Sequence, residues 1–328
     1  MHYVAHTCFW FGVLTTMTEA TVTAQTLYPA KSIRLIVPFA AGGASDFTAR
    51  TLAHRISAHW GQQVVVDNRA GGTGVIGVQI AAAAAPDGYT ILFASSSTFA
   101  TAPALNPNLP YDPVKDFVPI ALVVLGPNVL TAHPSVPVQS LNDLIRLAKA
   151  RPGQITYASP GIATASHMAG LLFARSAGID LLHVPYKGGG VAVNDLLAGQ
   201  VQLLFGSVST SSPLVKSGRL RALAATSMKR LATLPEVPTI AESGFPGYEV
   251  VQWFGVAAPA GLPRAIIIKF NQEIVAILAH SDAREALIKQ GLEPVGSTPE
   301  MFSAYIKSER AKWTRVFKET GLGGEQVR

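Results

Sequence analysis

At two places, far apart in the chain, an apolar strand runs into a turn of small residues and then directly into an amphipathic helix. The first reads IRLIVPFAAGGASDFTAR (Ile33 to Arg50) and the second QITYASPGIATASHMAGLLFARSAG (Gln154 to Gly178). After the first turn Ala49, Leu52, Ala53 and Ile56 recur at i, i+3, i+4 and i+7; after the second Ala165, Met168, Ala169 and Leu172 do the same. A helix that begins straight after such a turn points unpaired N–H groups and a positive dipole end beyond the strand. Two such helix starts facing one another hold an anion without a charged side chain.

The remainder repeats the same alternation and so predicts an α/β fold with a mostly parallel sheet flanked by helices. Strands are expected at Ile33–Val37, Gln63–Val66, Ile91–Ala94, Ile155–Ala158, Val201–Phe205 and Leu220–Ala225. Helix stops fall at Pro86-Asp87-Gly88, Gly199 and Gly218. FVPIALVVLGPNVLTAHP, with Gly126-Pro127 inside it, reads as a first crossing between two lobes, and FPGYEVVQWFGVAAPAGLP as the return. Thr298-Pro299-Glu300 opens a final amphipathic helix through Phe302, Ile306, Trp313 and Phe317. The division expected is 25–127 and 247–328 for a discontinuous first lobe and 128–246 for the second. At 328 residues, two lobes are also the natural expectation from length.

Composition excludes some classes. With 48% hydrophobic and 14% charged residues, the chain is neither disordered nor built to coat a nucleic acid. Its net charge of +6 is dispersed and marks no site. Cys8 is the only cysteine, so neither a disulfide framework nor a cysteine metal site is available. The stretch from Tyr3 to Met17 is apolar, and Val22-Thr23-Ala24 offers small residues before Gln25. That pattern predicts a cleavable export signal over 1–24, although His2 and His6 stand where Lys or Arg is usual.

The candidate sites carry alternatives. PFAAGGASD lacks both the GK[ST] ending of a phosphate loop and GxGxxG spacing, which leaves an anion cradle or a plain turn. Asp46 reads as dipole compensation. Ser95, Ser96 and Ser97 follow a strand, where open α/β sheets bind ligands, and are either donors or a polar turn. Thr164 and Ser166 are either caps or ligand donors. Tyr186-Lys187-Gly188 places an aromatic wall beside permissive backbone, with Lys187 facing either a guest or water. His167 reads as a structural residue at a helix start. No GxSxG, SxxK or HExxH motif occurs, so neither catalysis, a cofactor nor a metal is expected.

Eight ordered blocks then carry a resemblance over about Tyr28 to Gly321. They are VPFAAGGASDFTAR, VVVDNRAGGTGVIG, APDGYTIL, YASPGIATASHMAG, HVPYKGGGVAVNDLLAGQV, GRLRALAATSMKR, LPEVPTIAESGFPGYE and WFGVAAPAGLP. The chain resembles the periplasmic solute receptors of tripartite tricarboxylate transporters, the Bug family. The resemblance implies a type II periplasmic-binding fold whose two lobes close on a carboxylate. It implies ligand contacts at Phe39, Ala41 and Gly43 in the first lobe, with Gly161, Thr164 and the Tyr186-Lys187-Gly188 turn in the second. The implied partners are a small organic carboxylate and membrane permease subunits, with the receptor a periplasmic monomer. Many similar members carry an acidic or amide residue after the strand VQLLF; here Gly206-Ser207 stand there. Ser207 does not supply the carboxylate that would suit an ammonium group, which favours di- or tricarboxylates or aromatic acids over amino acids. An exported α/β enzyme acting on a carboxylate, or an orphan receptor used for sensing, are the alternatives.

Overall fold

The computed structural model describes residues 1–2, 28–186 and 188–320. The expected export signal, Cys8 and Lys187 lie outside the described residues.

The first half of the chain forms β1 (Ile33–Val37), α1 (Ala44–Trp60), β2 (Val64–Asn68), α2 (Val75–Ala82) and β3 (Thr90–Ser95). A π-type turn at Ser97–Thr101 leads into the short α3 (Ala102–Leu105), followed by the long β4 (Phe117–Ala132). Next come α4 (Leu141–Ala150), β5 (Ile155–Ser159), α5 (Ala165–Ala177), β6 (Leu181–Pro185) and α6 (Gly189–Leu197). Then follow β7 (Leu203–Ser207), α7 (Val208–Lys216), β8 (Arg221–Ala225) and β9 (Val251–Pro259). The chain closes with α8 (Arg264–Ala279), α9 (Ser281–Lys289), β10 (Glu293–Pro294) and α10 (Pro299–Thr320).

Local chemistry sets many of these boundaries. The Ser140 hydroxyl accepts the Asp143 N–H and caps α4. Thr298 receives the Met301 N–H at the start of α10. Gly61 and Gly178 end α1 and α5 in the left-handed conformation. Three elements carry only weak local signals. The β6 segment LLHVP is short and ends on a proline; VSTSSPLVK in α7 is serine-rich with an internal Pro213, a poor helix former by propensity. The turn after Ser96 buries Thr98, Phe99, Ala100 and Thr101, so packing holds it. The expected strand from Val201 instead begins at Leu203 and runs to Ser207.

The sheet runs β2-β1-β3-β9-β4-β7-β5-β6, with β8 and β10 also on β4. Strands β2, β1 and β3 are mutually parallel, as are β7, β5 and β6. The long β4 belongs to both halves: Phe117–Pro127 pairs with β9, and Asn128–Ala132 with β7 and β8. Its ladder with β9 shifts register twice, between Pro119 and Ala121 and between Leu122 and Val124. Such shifts bend a strand and increase its twist, and here the sheet curls into two halves.

Leu52 and Ile56 of α1 join Phe270 and Ile274 of α8 in one core on the first half-sheet. A second core on the other face includes Trp253, Phe302 and Trp313 and continues through Leu130, Phe173 and Phe205 of the second half. Burial on that scale, at about 25 cal/mol per Å² of apolar surface, is the main stabilising contribution. The result is a two-lobed α/β architecture with one core running behind the crossing.

Candidate functional site

Register locates the cleft. Ser95 at the end of β3 lies opposite Phe254, which lies opposite Val124. Ser207 at the end of β7 lies opposite Asn128. Two antiparallel steps make β3 parallel to β4, whereas β7 is antiparallel to it. The carboxyl ends of the two parallel sets therefore point at each other along β4. They lie four residue steps apart along β4, from Val124 to Asn128, about 13 Å. Loops after β1, β2 and β3 face loops after β5, β6 and β7 across this interval, where open α/β sheets place ligands.

The first turn presents backbone only. Gly43 precedes α1 in extended conformation without a side-chain cap, so the first N–H groups of the helix have no partner within it. Ala41, Gly42 and Gly43 are exposed, and Phe39 is half-buried against the first core. A polar ring braces the turn from behind. Asp46 Oδ2 accepts the Gly42 N–H and Arg50 Nε–H, each at 3.0 Å. Arg50 Nη2 donates to Asn68 Oδ1 at 3.1 Å, and Asn68 Nδ2 donates back to the Phe39 carbonyl at 3.0 Å. Burial alone raises the affinity of Asp46 for a proton; the bonds from Arg50, Gly42 and Asn68 outweigh it and hold the carboxyl below its ordinary range. Gly74 ties in the loop after β2. At φ +98° its missing Cβ would fall 2.7 Å from Thr98 Cγ2 and 3.5 Å from Pro38 Cβ, so glycine lets all three loops meet.

The serine run is mostly internal. Ser95 Oγ contacts Ser97 Oγ at 2.9 Å and Thr98 Oγ1 at 3.1 Å, and Ser95 and Ser96 are buried. Ser97 is the half-exposed member of the three. The turn they begin carries Thr101, whose hydroxyl donates to the Ala163 carbonyl across the interval at 2.9 Å.

The second turn rests on rings. His167 and His183 stack with centroids 4.0 Å apart, and Tyr157 stacks on His183 at 4.9 Å. His167 Nδ1 accepts the Ala163 N–H at 3.2 Å, which assigns its proton to Nε2. This bond steadies Ala163 at φ +60°, an uncommon conformation for a residue with a side chain. Ser159 Oγ lies 2.7 Å from His183 Nε2 and also bonds the N–H and carbonyl of Gly161. Burial, reinforced by His183, pushes His167 down to about 3, and burial pushes His183 down to about 4, so both rings are neutral near pH 7. The Thr164 hydroxyl caps α5 by accepting the His167 N–H and donates to Gly161 O at 2.7 Å. Ser166, one position into the helix, keeps a hydroxyl without a partner.

Beyond this turn the Tyr186 hydroxyl donates to Asp195 of α6 at 2.8 Å, anchoring the ring as a wall. Gly188 at φ +133° opens α6, again without a side-chain cap. Gly206 is glycine because the Ser211 hydroxyl occupies the place of a Cβ. Ser207 Oγ contacts Thr210 Oγ1 at 2.8 Å.

Phe39, Ala41 and Gly43 thus share one turn, Gly161 and Thr164 a second, and Tyr186 and Gly188 a third, with Ser207 at the crossing. Sequence reasoning missed Asn68, Thr101, Asn128 and His183. Asn68 lies inside the VVVDNRAGG block and His183 opens HVPYKGGG; Thr101 and Asn128 have no local pattern to mark them. Among the described residues no group of three His, Cys, Asp or Glu side chains could hold a metal, and no helix is long and apolar enough to cross a membrane.

Residues 48–322 match the family described as "Tripartite tricarboxylate transporter family receptor". Protein BugT of Bordetella pertussis is 41% identical over 303 residues, covering 92% of this chain and 93% of its own. Three solved structures are also similar. Rhodopseudomonas palustris Rpa4515 with adipate has TM-score 0.82 and 37% identity, covering 90% of this chain and 98% of its own. Periplasmic binding protein BugD has TM-score 0.79 and 38% identity, covering 90% and 99%. MatC of R. palustris with bound malate has TM-score 0.78 and 31% identity, covering 88% and 99%.

Proposed function

From the premise that the chain belongs to the tripartite tricarboxylate transporter family receptors, we propose that it captures a small organic carboxylate between its two half-sheets and delivers it to a membrane permease. The observation that carries this reading is the convergence of three helix starts. α1, α5 and α6 begin at carboxyl ends of parallel strands, and Gly43 and Gly188 leave two of them without a side-chain cap. Such amides bind an anion by geometry and dipole and need no cation. Relatives recorded with adipate and malate support a carboxylate ligand.

In this reading Phe39, Ala41 and Gly43 form the first-lobe cradle and Gly161, Thr164, Tyr186, Lys187 and Gly188 the second-lobe contacts. Ser95, Ser96 and Ser97 contribute through Ser97, and Ser207 lines the crossing. The lobes are 25–127 with 247–328, and 128–246; the receptor is a periplasmic monomer exported by residues 1–24. Closure is a population shift, because a ligand that touches both halves binds the closed state more tightly. The site performs no chemistry. Ser159 and His183 have the spacing of a nucleophile and its base, yet Ser159 is fully buried, its hydroxyl is shared with Gly161, and His183 is a weak base.

A thermal-shift panel of dicarboxylates, tricarboxylates, aromatic acids, amino acids and nucleotides tests the reading. At 100 times Kd a ligand adds about 2.7 kcal/mol. Carboxylates are expected to raise Tm by several degrees and nucleotides to leave it unchanged. A shift confined to nucleotides, or none throughout, would overturn the proposal.

A further inference from the structure

At the base of the cleft, two donors are buried without partners. Asn128 is 6% exposed and its Nδ2 bonds to nothing among the described residues; Ser166 is 5% exposed and its Oγ is equally unpartnered. The Asn128 backbone is fully engaged: its N–H donates to Thr226 Oγ1 at 2.9 Å, and its carbonyl accepts the Thr226 N–H at 3.0 Å. The side-chain Nδ2 is left without an acceptor.

The ladder places the two donors at the same end of the same face. Asn128 pairs with Ser207, and Leu130 with Phe205, so all four side chains share one face of the β4–β7 pair. Helix α5 covers that face, with Phe173 against Phe205 at 6.3 Å between centroids. Ser166 precedes Phe173 by seven residues and shares its stripe, two turns nearer the helix start. Because α5 follows β5, and β5 is parallel to β7, the start of α5 and the end of β7 lie at the same end of the half-sheet. Thr101 of the first half caps this corner through its bond to Ala163, three residues before Ser166.

A buried donor without an acceptor is costly, and native proteins retain few of them. Both donors lie beside an α5 N-terminus, which itself favours negative charge. We infer that Asn128 and Ser166 form an inner subsite for the second carboxylate of a dicarboxylate, while the first turn holds the other. This rests on the receptor reading and adds what it leaves open: the two donors, beside the positive end of α5, favour a ligand with an acceptor at its far end over one ending in an ammonium or methyl group. Ser207, without charge, leaves that selection to the two donors. With the subsite empty, closure buries two donors for nothing; with a carboxylate in it, closure satisfies both.

The test is calorimetric titration of the protein with four probes of equal chain length: adipate, adipate monomethyl ester, hexanoate and 6-aminohexanoate. Wild type is expected to prefer adipate over the other three by at least about tenfold, a difference near 1.4 kcal/mol. Asn128→Asp, isosteric but anionic at the far end, is expected to cut the adipate-to-hexanoate ratio at least tenfold. Ser166→Ala is expected to cut it several-fold and serves as the readout should the Asp variant not fold. A wild type that binds all four probes alike, or variants that keep the wild-type ratio, would overturn the inference while leaving the receptor reading intact. A wild type that binds no carboxylate would overturn the receptor reading itself.

Discussion

The turns after β1 and β5 have the same plan and opposite supports. Both follow a parallel strand, both lead straight into a helix, and both face the interval on β4. The first is braced by ions, Asp46 with Arg50, closed through Asn68 onto Phe39. The second is braced by neutral rings, Tyr157, His183 and His167, which reach Ala163 through one imidazole nitrogen. One backbone device can therefore be made rigid by two unrelated chemistries. Their pH responses differ accordingly, and that difference is open to experiment.

Asp46→Ala is expected to have the largest effect. It strips acceptors from the Gly42 N–H and from a guanidinium, and bonds to charged groups contribute about 1.5–3 kcal/mol each. Chemical denaturation should show a loss of roughly 2–3 kcal/mol, and carboxylate titration a loss of at least tenfold in affinity. Full retention of affinity would mean that the first turn needs no brace.

Acid should break the second turn before the first. A histidine held neutral by burial lets the unfolded chain take up a proton that the folded chain refuses. The stability contribution is thus complete above about pH 6.5 and is lost as pH falls toward about 4 for His183 and about 3 for His167. Asp46 has its carboxyl lowered, so its contribution is present above the ordinary value of 3.8 and fades only below it. Thermal melts should therefore fall continuously as pH is lowered from 6.5 to 4. A variant carrying His167→Phe and His183→Phe should lose that slope, and an unchanged slope would place its origin elsewhere.

Thr101→Val removes the hydroxyl that joins the halves and keeps its shape. A neutral hydrogen bond contributes about 0.5–1.5 kcal/mol, so carboxylate affinity should fall two- to tenfold. Tyr186→Phe should have the smallest effect, below about 1 kcal/mol of stability with affinity nearly unchanged, because the hydroxyl is spent on Asp195 and the ring remains. A large affinity loss there would show the hydroxyl turning to the ligand.

What was legible in the sequence followed from periodicity and glycine. Both turns, the helix stops and the long crossing strand can be read from residues within a few positions of one another. The ring brace could not, because His183 and His167 lie on different elements and meet only when β6 pairs with β5. Nor could Thr101, since it sits in a turn held by burial where local propensity gives no signal. Asn128 sits in an extended apolar run that gives it no signal of its own; its role depends on the register that sets it opposite Ser207 at the end of β7. Ser95 shows the reverse: a polar run at a strand end reads as a site, yet the Ser95 hydroxyl is buried and bonds Ser97 and Thr98 of the turn itself.

The most direct measurement is hydrogen exchange by mass spectrometry, with and without adipate or malate at saturating concentration. Amides in 39–46 and 161–168 are expected to slow together, because one ligand bridges both turns. Slowing in one turn alone, under a dicarboxylate shown to bind, would contradict it.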